Sequence, residues 1–310
     1  MSVFLTSLAV FGALLAGTYC VAGLQRIAAL GLGRAIDALA LPILEAARLV
    51  RQEDLAPRGA DGLLFRSAPL VALASIALAA LVVPFGPGLV GFDPSIGIFY
   101  FIVVLGPFVP AMMNAGWSQN SKEGLLGSFR AAAHLISYEV PLGFAAIGPA
   151  MAAESLSTVR IVEGQGGLWY GAWQPVGFAI FLLAALFMTY RHPFDIPKAG
   201  SELEGGVLAE YSGPRLLLFR AALDGIFFLL MAMAAVLFLG GWRGPLLPGP
   251  LWLALKTFAL AYLMLWVDSF APRLRLDQML GFAWKVLVPA SLVNVALVGA
   301  PLLFFFEGGR

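Results

Sequence analysis

The segment 189–215, TYRHPFDIPKAGSELEGGVLAEYSGPR, concentrates charge between two apolar runs. It holds four carboxylates, four basic or imidazole side chains and three prolines. The flanking runs, 174–188 and 216–239, are almost uncharged and come close to or reach the length at which a helix crosses roughly 30 Å of hydrocarbon. Charged groups held at a membrane surface can bind a polar headgroup and exchange protons. The sequence therefore predicts a polar functional loop, at about 190–215, in an integral membrane protein.

A second group of polar side chains lies inside the apolar segment 131–152. At 1.5 Å per residue, Glu139 lies about 13 Å deeper than Arg130, and a carboxylate at that depth is a functional candidate because it is costly to place there. Arg130, His134 and Tyr138 recur every fourth residue and share one helix face, with Ser137 beside them. We interpret Glu139 as a protonatable relay group, with an inter-helix hydrogen bond that only locks packing as the alternative.

The composition requires membrane helices to position these groups. Hydrophobic residues make up 60% of the 310 residues and charged residues only 12%, which is far from the balance of a soluble domain. No alternating strand pattern is present. Because every backbone N–H and C=O group in lipid must find a hydrogen-bond partner within the protein, we predict an all-α fold in a single polytopic domain, 1–310. About eight apolar segments have spanning length: 3–24, 67–86, 96–116, 131–152, 171–189, 216–240, 250–270 and 284–306.

The segment 35–52 has a different pattern. Its apolar residues recur at helical spacing, while Asp37, Glu45, Arg48 and Arg51 take the other positions. This pattern predicts an amphipathic helix that lies along the membrane surface after the first span.

Basic residues are concentrated in every second connection between the predicted spans, and this distribution predicts the orientation of the chain in the membrane. The connections after the odd-numbered spans hold most of them: Arg26, Arg34, Arg48, Arg51, Arg58, Arg66, Lys122, Arg130, Arg191, Lys198, Arg215, Arg273, Arg275 and Lys285. The positive-inside rule then places the odd-numbered loops and the amphipathic helix in the cytoplasm and both termini outside.

Several kinds of chemistry are disfavoured by what the chain lacks. Cys20 is its only cysteine, which excludes an internal disulfide and a cysteine-ligated cluster within this chain alone. A net charge of +1 argues against nucleic acid as a partner, and no nucleotide-binding fingerprint occurs. We therefore expect no metal and no cofactor bound by this chain alone.

Several motifs occur in a shared order: AGWSQNSKEGLLGSFRAAAHLISYE at 115–139, PFDIP at 193–197, SEL at 201–203, EYSG at 210–213, GGW at 240–242 and PRLRLDQ at 272–278. Together they strongly resemble the H subunit of bacterial respiratory complex I and its homologues in membrane-bound hydrogenases. The resemblance implies eight transmembrane helices with a cytoplasm-side amphipathic helix in the bacterial inner membrane. It also implies contacts with other membrane and peripheral subunits, and quinone as the substrate at their interface.

The resemblance also implies roles for individual residues. The implied quinone-cavity residues are Glu45, Arg48, Phe194, Asp195 and Glu202. The implied proton relay is Glu139, Glu210 and Asp224. The implied supporting polar residues are Arg130, His134, Ser137, Tyr138, Arg273, Arg275 and Asp277. For the last three, charges that merely anchor a helix entry at the interface are the alternative.

Four positions depart from the family pattern. Family members usually carry carboxylates where this chain has Met188, Lys198, Gly200 and Leu223. Asp224 follows Leu223 but is turned by about 100° on the helix. The sequence thus predicts a proton relay with fewer carboxylates than is usual in the family.

These observations favour a membrane subunit of a complex I-like NADH:quinone oxidoreductase without a redox centre of its own. It would form part of the quinone cavity and a buried carboxylate proton relay that links the peripheral redox arm to the pumping arm. The adaptor subunit of a membrane-bound hydrogenase or a formate hydrogenlyase-like complex is the alternative. A stand-alone secondary transporter is a third possibility, disfavoured because the two halves of the chain show no repeat.

Overall fold

The computed structural model describes residues 2–30, 35–198, 200–245 and 247–307, and these residues form helices joined by turns, with no strand among them. The helices are α1 (Ser2–Leu30), α2 (Ala35–Arg51), α3 (Gly62–Ala80), α4 (Gly97–Leu105), α5 (Phe108–Trp117), α6 (Lys122–Ala152), α7 (Thr158–Gly164), α8 (Tyr170–Trp173), α9 (Pro175–Met188), α10 (Gly200–Leu203), α11 (Gly213–Phe238), α12 (Gly249–Phe270), α13 (Leu276–Phe282) and α14 (Val288–Glu307).

Seven segments of the described chain are long and apolar enough to cross a membrane, which confirms the predicted all-α integral membrane fold. They are Leu5–Ala28, Gly62–Ala80, Gly97–Trp117, Lys122–Ala152, Gly213–Phe238, Gly249–Phe270 and Leu276–Pro301. The remaining predicted segment, 171–189, is divided into α8 and α9. The backbone of Gln174 leaves the helical region (φ −120°, ψ 51°), and Pro175 then begins α9. With 14 residues, α9 is about 21 Å long and therefore short for a spanning helix.

Helix α11 lies at the centre of the bundle. It packs against α1, α3, α9 and α12, and every residue from Gly225 to Phe238 is buried. A helix that is apolar on all sides is typical of such a central position. The three charged residues of α11, Arg215, Arg220 and Asp224, precede this buried stretch, so they mark the end of the helix where polar groups gather.

The amphipathic helix α2 is confirmed at Ala35–Arg51. It packs against α1 and α11, with Leu49 buried, while Ile43, Leu44 and Val50 remain exposed. An apolar strip on the outer face suits contact with lipid or with another subunit.

The predicted polar loop folds onto the helix ends rather than extending from them. Besides α10, it contains the short turns Ile196–Lys198 and Gly206–Leu208. Gln119 donates its side-chain amide to the carbonyl of Val207 (2.6 Å), and the Leu274 amide donates to the carbonyl of Pro193 (3.1 Å). These contacts fix the loop between the ends of α5 and α12 and thereby position its side chains.

Candidate functional site

A cavity of about 660 Å³ lies where α1, α2, α11, the end of α12 and the beginning of the polar loop meet. Its apolar wall includes Pro42, Ala46, Leu49, Leu217 and Ala221. Four cationic and four acidic side chains also line it: Arg26, Arg191, Lys198, Arg220, Glu45, Asp195, Asp224 and Asp268. A concave site with an apolar wall and a few converging polar groups is typical of small-molecule binding.

Glu45 joins three helices on one side of the cavity. Its carboxylate accepts hydrogen bonds from Arg26 of α1 and Arg220 of α11, so one acid on α2 is held between two arginines. Burial raises the pKa of Glu45, but the hydrogen bonds and charges of Arg26 and Arg220 together outweigh burial and hold that pKa below its usual value. Glu45 is therefore ionised and anchors the amphipathic helix to the bundle.

Asp224 forms a second polar cluster with side chains from α1 and the loop. Its Oδ1 accepts a hydrogen bond from the Gln25 side-chain amide (2.6 Å) and pairs with Nη2 of Arg191 (3.2 Å). The Arg191 guanidinium also lies 4.1 Å from the ring centroid of Phe227. Burial lowers the pKa of Arg191, an effect that the charge of Asp224 opposes.

His192 lies between two acids on the outer side of the cavity. Its Nε2 is 3.2 Å from Oδ2 of Asp195, and its Nδ1 is 3.3 Å from Oδ1 of Asp268. The backbone N–H of His192 also donates to Asp268 (2.6 Å), while Nε of Arg273 lies 3.1 Å from Oδ1 of Asp195. Both ring nitrogens of His192 therefore face carboxylates.

Lys198 lines the cavity at a position where the resemblance leads us to expect an acid. Its Nζ lies 5.7 Å from the ring centroid of Tyr190. Burial lowers the pKa of Lys198 to about 8, and the nearby charge of Arg191 acts in the same direction. Asp195, Asp224 and Asp268 oppose this effect without cancelling it. Lys198 thus provides an ammonium group that can lose its proton close to physiological pH.

The predicted quinone-cavity residues are placed in different surroundings. Glu45 and Asp195 line the cavity, whereas Arg48, Phe194 and Glu202 are not among its lining residues. Arg48 is exposed on α2. Phe194 is buried and stacks on Phe187 with ring centroids 3.6 Å apart, so it supports the loop from beneath.

Glu202 and the Arg130 stripe form a separate polar contact. Nη1 of Arg130 lies 2.8 Å from Oε2 of Glu202, and this hydrogen bond lowers the pKa of Glu202. Further along α6, His134, Ser137 and Tyr138 are buried, and the Ser137 hydroxyl donates to the carbonyl of Ala133 (2.7 Å). The contact between Arg130 and Glu202 ties α6 to the polar loop.

The predicted relay acids do not meet in one place. Asp224 lines the cavity, whereas Glu139 and Glu210 are exposed on the surface of this chain, contrary to the burial predicted for the relay. Of the positions that depart from the family pattern, Leu223 lines the cavity and Met188 is buried. Arg275 and Asp277 are exposed at the start of α13. A path from the cavity to Glu139 therefore needs other groups between them.

Sequence reasoning gave no cavity role to several lining residues: Gln25, Arg26, Tyr190, Arg191, Arg220 and Asp268. Arg220 and Asp268 are among the few charged residues of two largely apolar helices, and that signal could have marked them. Gln25 and Tyr190 carry no such signal, because their positions depend on how the helices pack.

Comparison with known proteins extends the resemblance seen in the motifs. A family model described as NADH dehydrogenase matches residues 2–299. The second NADH-quinone oxidoreductase H subunit of Syntrophobacter fumaroxidans is 42% identical over 272 residues, which cover 85% of this chain and 82% of that protein. The H subunit of Geobacillus kaustophilus is 39% identical, covering 85% and 80%, and the first H subunit of Rhodopseudomonas palustris (strain HaA2) is 38% identical, covering 83% and 81%. The similarity thus covers most of each chain.

Proposed function

This chain belongs to the NADH dehydrogenase family, with the H subunits of NADH-quinone oxidoreductases as its relatives, and we propose that it is a membrane subunit of a complex I-like NADH:quinone oxidoreductase. In that role it binds other membrane and peripheral subunits and contributes walls to the quinone site. The electrons come from a redox centre in a partner subunit.

The observation that carries this proposal is the cavity with its mixed lining. A quinone headgroup is neutral, accepts hydrogen bonds at two carbonyl oxygens, and takes up two electrons and two protons to become a quinol. Lys198 is a donor that can also supply a proton, and His192 adds a ring N–H donor. Ala46, Leu49 and Leu217 offer an apolar wall to the hydrocarbon tail. The volume of about 660 Å³ lies within the usual range for small-molecule sites.

The polar loop couples this chemistry to proton movement. The loop carries Asp195 in the cavity lining, with Glu202 and Glu210 outside it, and we infer that these acids face the cytoplasm. Occupancy of this region by quinone or by a segment of the peripheral arm changes proton affinity along the path towards Glu139. Charge pairs in a partly desolvated site respond strongly to a nearby headgroup, which supports this role. A loop whose acids serve only to hold it together is the competing explanation.

This function can be tested by filling the cavity with a bulky side chain. Ala46→Trp fills the lining position on α2, whereas the neighbouring Ala47→Trp adds the same bulk at an exposed position. In affinity-purified complexes whose partner subunits are identified, we expect Ala46→Trp to raise the KM for quinone by roughly tenfold or more, as lost pocket contacts do. Ala47→Trp should leave the KM unchanged. An assembled Ala46→Trp complex with a normal KM, or copurification with a nickel hydrogenase large subunit, would contradict the proposal.

Orientation in the membrane follows from the distribution of basic residues. We propose that the connections holding Lys122 and Asp277 are cytoplasmic and that the connection holding Gly167 is external. All three positions are exposed, so single cysteines introduced there in a Cys20→Ser background should react with an impermeant thiol reagent. Labelling of intact spheroplasts should modify only the cysteine at position 167. Reaction of all three from the same side would overturn this topology.

A further inference from the structure

A path between the cavity and Glu139 needs protonatable groups, and the positions beside it offer few. Leu223 in the cavity wall and the buried Met188 cannot carry a proton. Two other buried groups lie in this region, His134 of α6 and Tyr190 at the end of α9. Their rings are in edge contact, with centroids 5.3 Å apart and planes at 67°. This pair connects the cavity lining, through Tyr190, to the buried face of α6 that carries His134.

His134 is held in one tautomer by its backbone contact. Its Nδ1 lies 3.2 Å from the carbonyl oxygen of Phe187, which can only accept a hydrogen bond, so Nδ1 carries the proton. The neutral imidazole therefore presents Nε2 as an acceptor. Among the described residues, Nε2 of His134 and the hydroxyl of Tyr190 are both buried without a hydrogen-bond partner. A buried acceptor and a buried donor, not hydrogen-bonded to each other, are thus left free on two rings in edge contact.

Tyr190 is held at this place despite a backbone cost. Its φ of +50° lies in the left-handed region, which costs a non-glycine residue roughly 1 kcal/mol or more. Its N–H donates to the carbonyl of Phe187 (3.2 Å), and the N–H of Arg191 donates to that of Leu186 (3.3 Å), which closes the end of α9. The side chain also lines the cavity. Burial raises the pKa of Tyr190, so its phenol remains protonated.

Tyr138 continues the connection one helical turn beyond His134. It is buried, and its i, i+4 spacing places it on the same face of α6 as His134. Its neighbour Glu139 is exposed on the surface of this chain, where a partner subunit or lipid would face it. The four residues therefore lead from the cavity wall to a carboxylate on the surface of this chain.

We propose that Tyr190, His134 and Tyr138 form a relay of hydroxyl and imidazole groups that carries protons between the cavity and Glu139. This inference rests on the proposed function. A proton arriving at the Tyr190 oxygen is matched by transfer of the Tyr190 hydroxyl proton to Nε2 of His134, once a bridging water or a rotation of the phenol connects the two atoms. Nε2 then gives a proton to the Tyr138 oxygen as the Tyr138 hydroxyl proton passes to the Glu139 carboxylate. One proton enters and one leaves, and neither phenol remains ionised.

The experiment uses the intact complex in proteoliposomes and measures quinone reduction together with proton translocation. Tyr190→Phe removes only the hydroxyl, and His134→Gln keeps a donor for the Phe187 carbonyl while losing the protonatable ring. We expect each to lower the rate of proton translocation by a factor of about ten to a hundred, as loss of a positioned proton carrier does. Tyr211→Phe is the matched control, because it removes a buried hydroxyl that donates to the carbonyl of Phe65 (3.0 Å) outside the relay.

A second measurement separates proton transfer from packing. Fluorinated tyrosine at position 190 makes the phenol more acidic with almost no change in shape, so translocation should change with the degree of fluorination only if the hydroxyl transfers protons. The relay is wrong if Tyr190→Phe and His134→Gln translocate protons normally while Glu139→Gln does not, an outcome that leaves the proposed function intact. A wild-type complex that does not reduce quinone would overturn the proposed function itself, and the relay with it.

Discussion

Replacing Asp224 by asparagine is expected to reduce quinone reductase turnover by about a hundredfold in complexes that assemble. The Asp224 carboxylate is the negative partner of Arg191 and accepts a hydrogen bond from Gln25 within the cavity lining. Asparagine keeps the size of the side chain but leaves the Arg191 guanidinium, whose side chain is only 11% exposed, without its compensating charge. A buried charge stranded in this way costs about 3 kcal/mol or more. Turnover and thermal stability of the purified complex measure the two effects.

A double variant separates the functional from the structural part of this effect. Arg191→Gln combined with Asp224→Asn removes both charges, so the penalty of an uncompensated ion disappears and stability should recover. Turnover should remain low, because the protonatable carboxylate is still missing. Asp277→Asn provides the control, since it neutralises an exposed acid outside the cavity. Recovery of turnover along with stability in the double variant would show that the pair serves only to hold the loop against α11.

Hydropathy was sufficient to predict the membrane fold, because a chain in lipid must satisfy its backbone within helices. Seven predicted spans and the amphipathic helix are present in the described residues. The fifth predicted segment differs in length, because the helix is interrupted at Gln174 and α9, which begins at Pro175, has only 14 residues. Its residues are mostly buried against α6 and α11, so the protein itself surrounds this helix and a shorter length suffices.

The side-chain groups of the cavity could be predicted only in part. The dense charge of the loop and the family resemblance pointed to Asp195, and the amphipathic helix pointed to Glu45. The two arginines that hold Glu45 are 19 and 175 positions away in sequence, and only helix packing brings them together. The same holds for His192 and Asp268, which are separated by 76 positions. Long-range pairing of this kind depends on crossing geometry, which a single sequence does not encode in a readable pattern.

Lys198 distinguishes this cavity from the acid-rich one that the resemblance implies, and it should be visible in the pH dependence of turnover. Its pKa of about 8 lies below the ordinary lysine value of 10.5. Between these two pH values the unfolded chain binds more protons than the folded one at this site, so its contribution to stability rises with pH over that window. Stability and function should respond to pH in opposite directions, because above about pH 8 the folded protein loses an ammonium donor from the cavity lining.

The protonated fraction of a group with a pKa of about 8 falls about tenfold between pH 7 and pH 9. If protonated Lys198 limits quinone reductase turnover, we therefore expect turnover to fall by about the same factor over this range. Lys198→Arg should keep its charge and remove this alkaline decline. Lys198→Met should give a low turnover without that decline. NADH oxidation with a soluble electron acceptor, which does not need the membrane cavity, serves as the control for pH effects on partner subunits. An alkaline decline that persists unchanged in both variants would assign it to another group, and Lys198 would then contribute only to packing beside Tyr190.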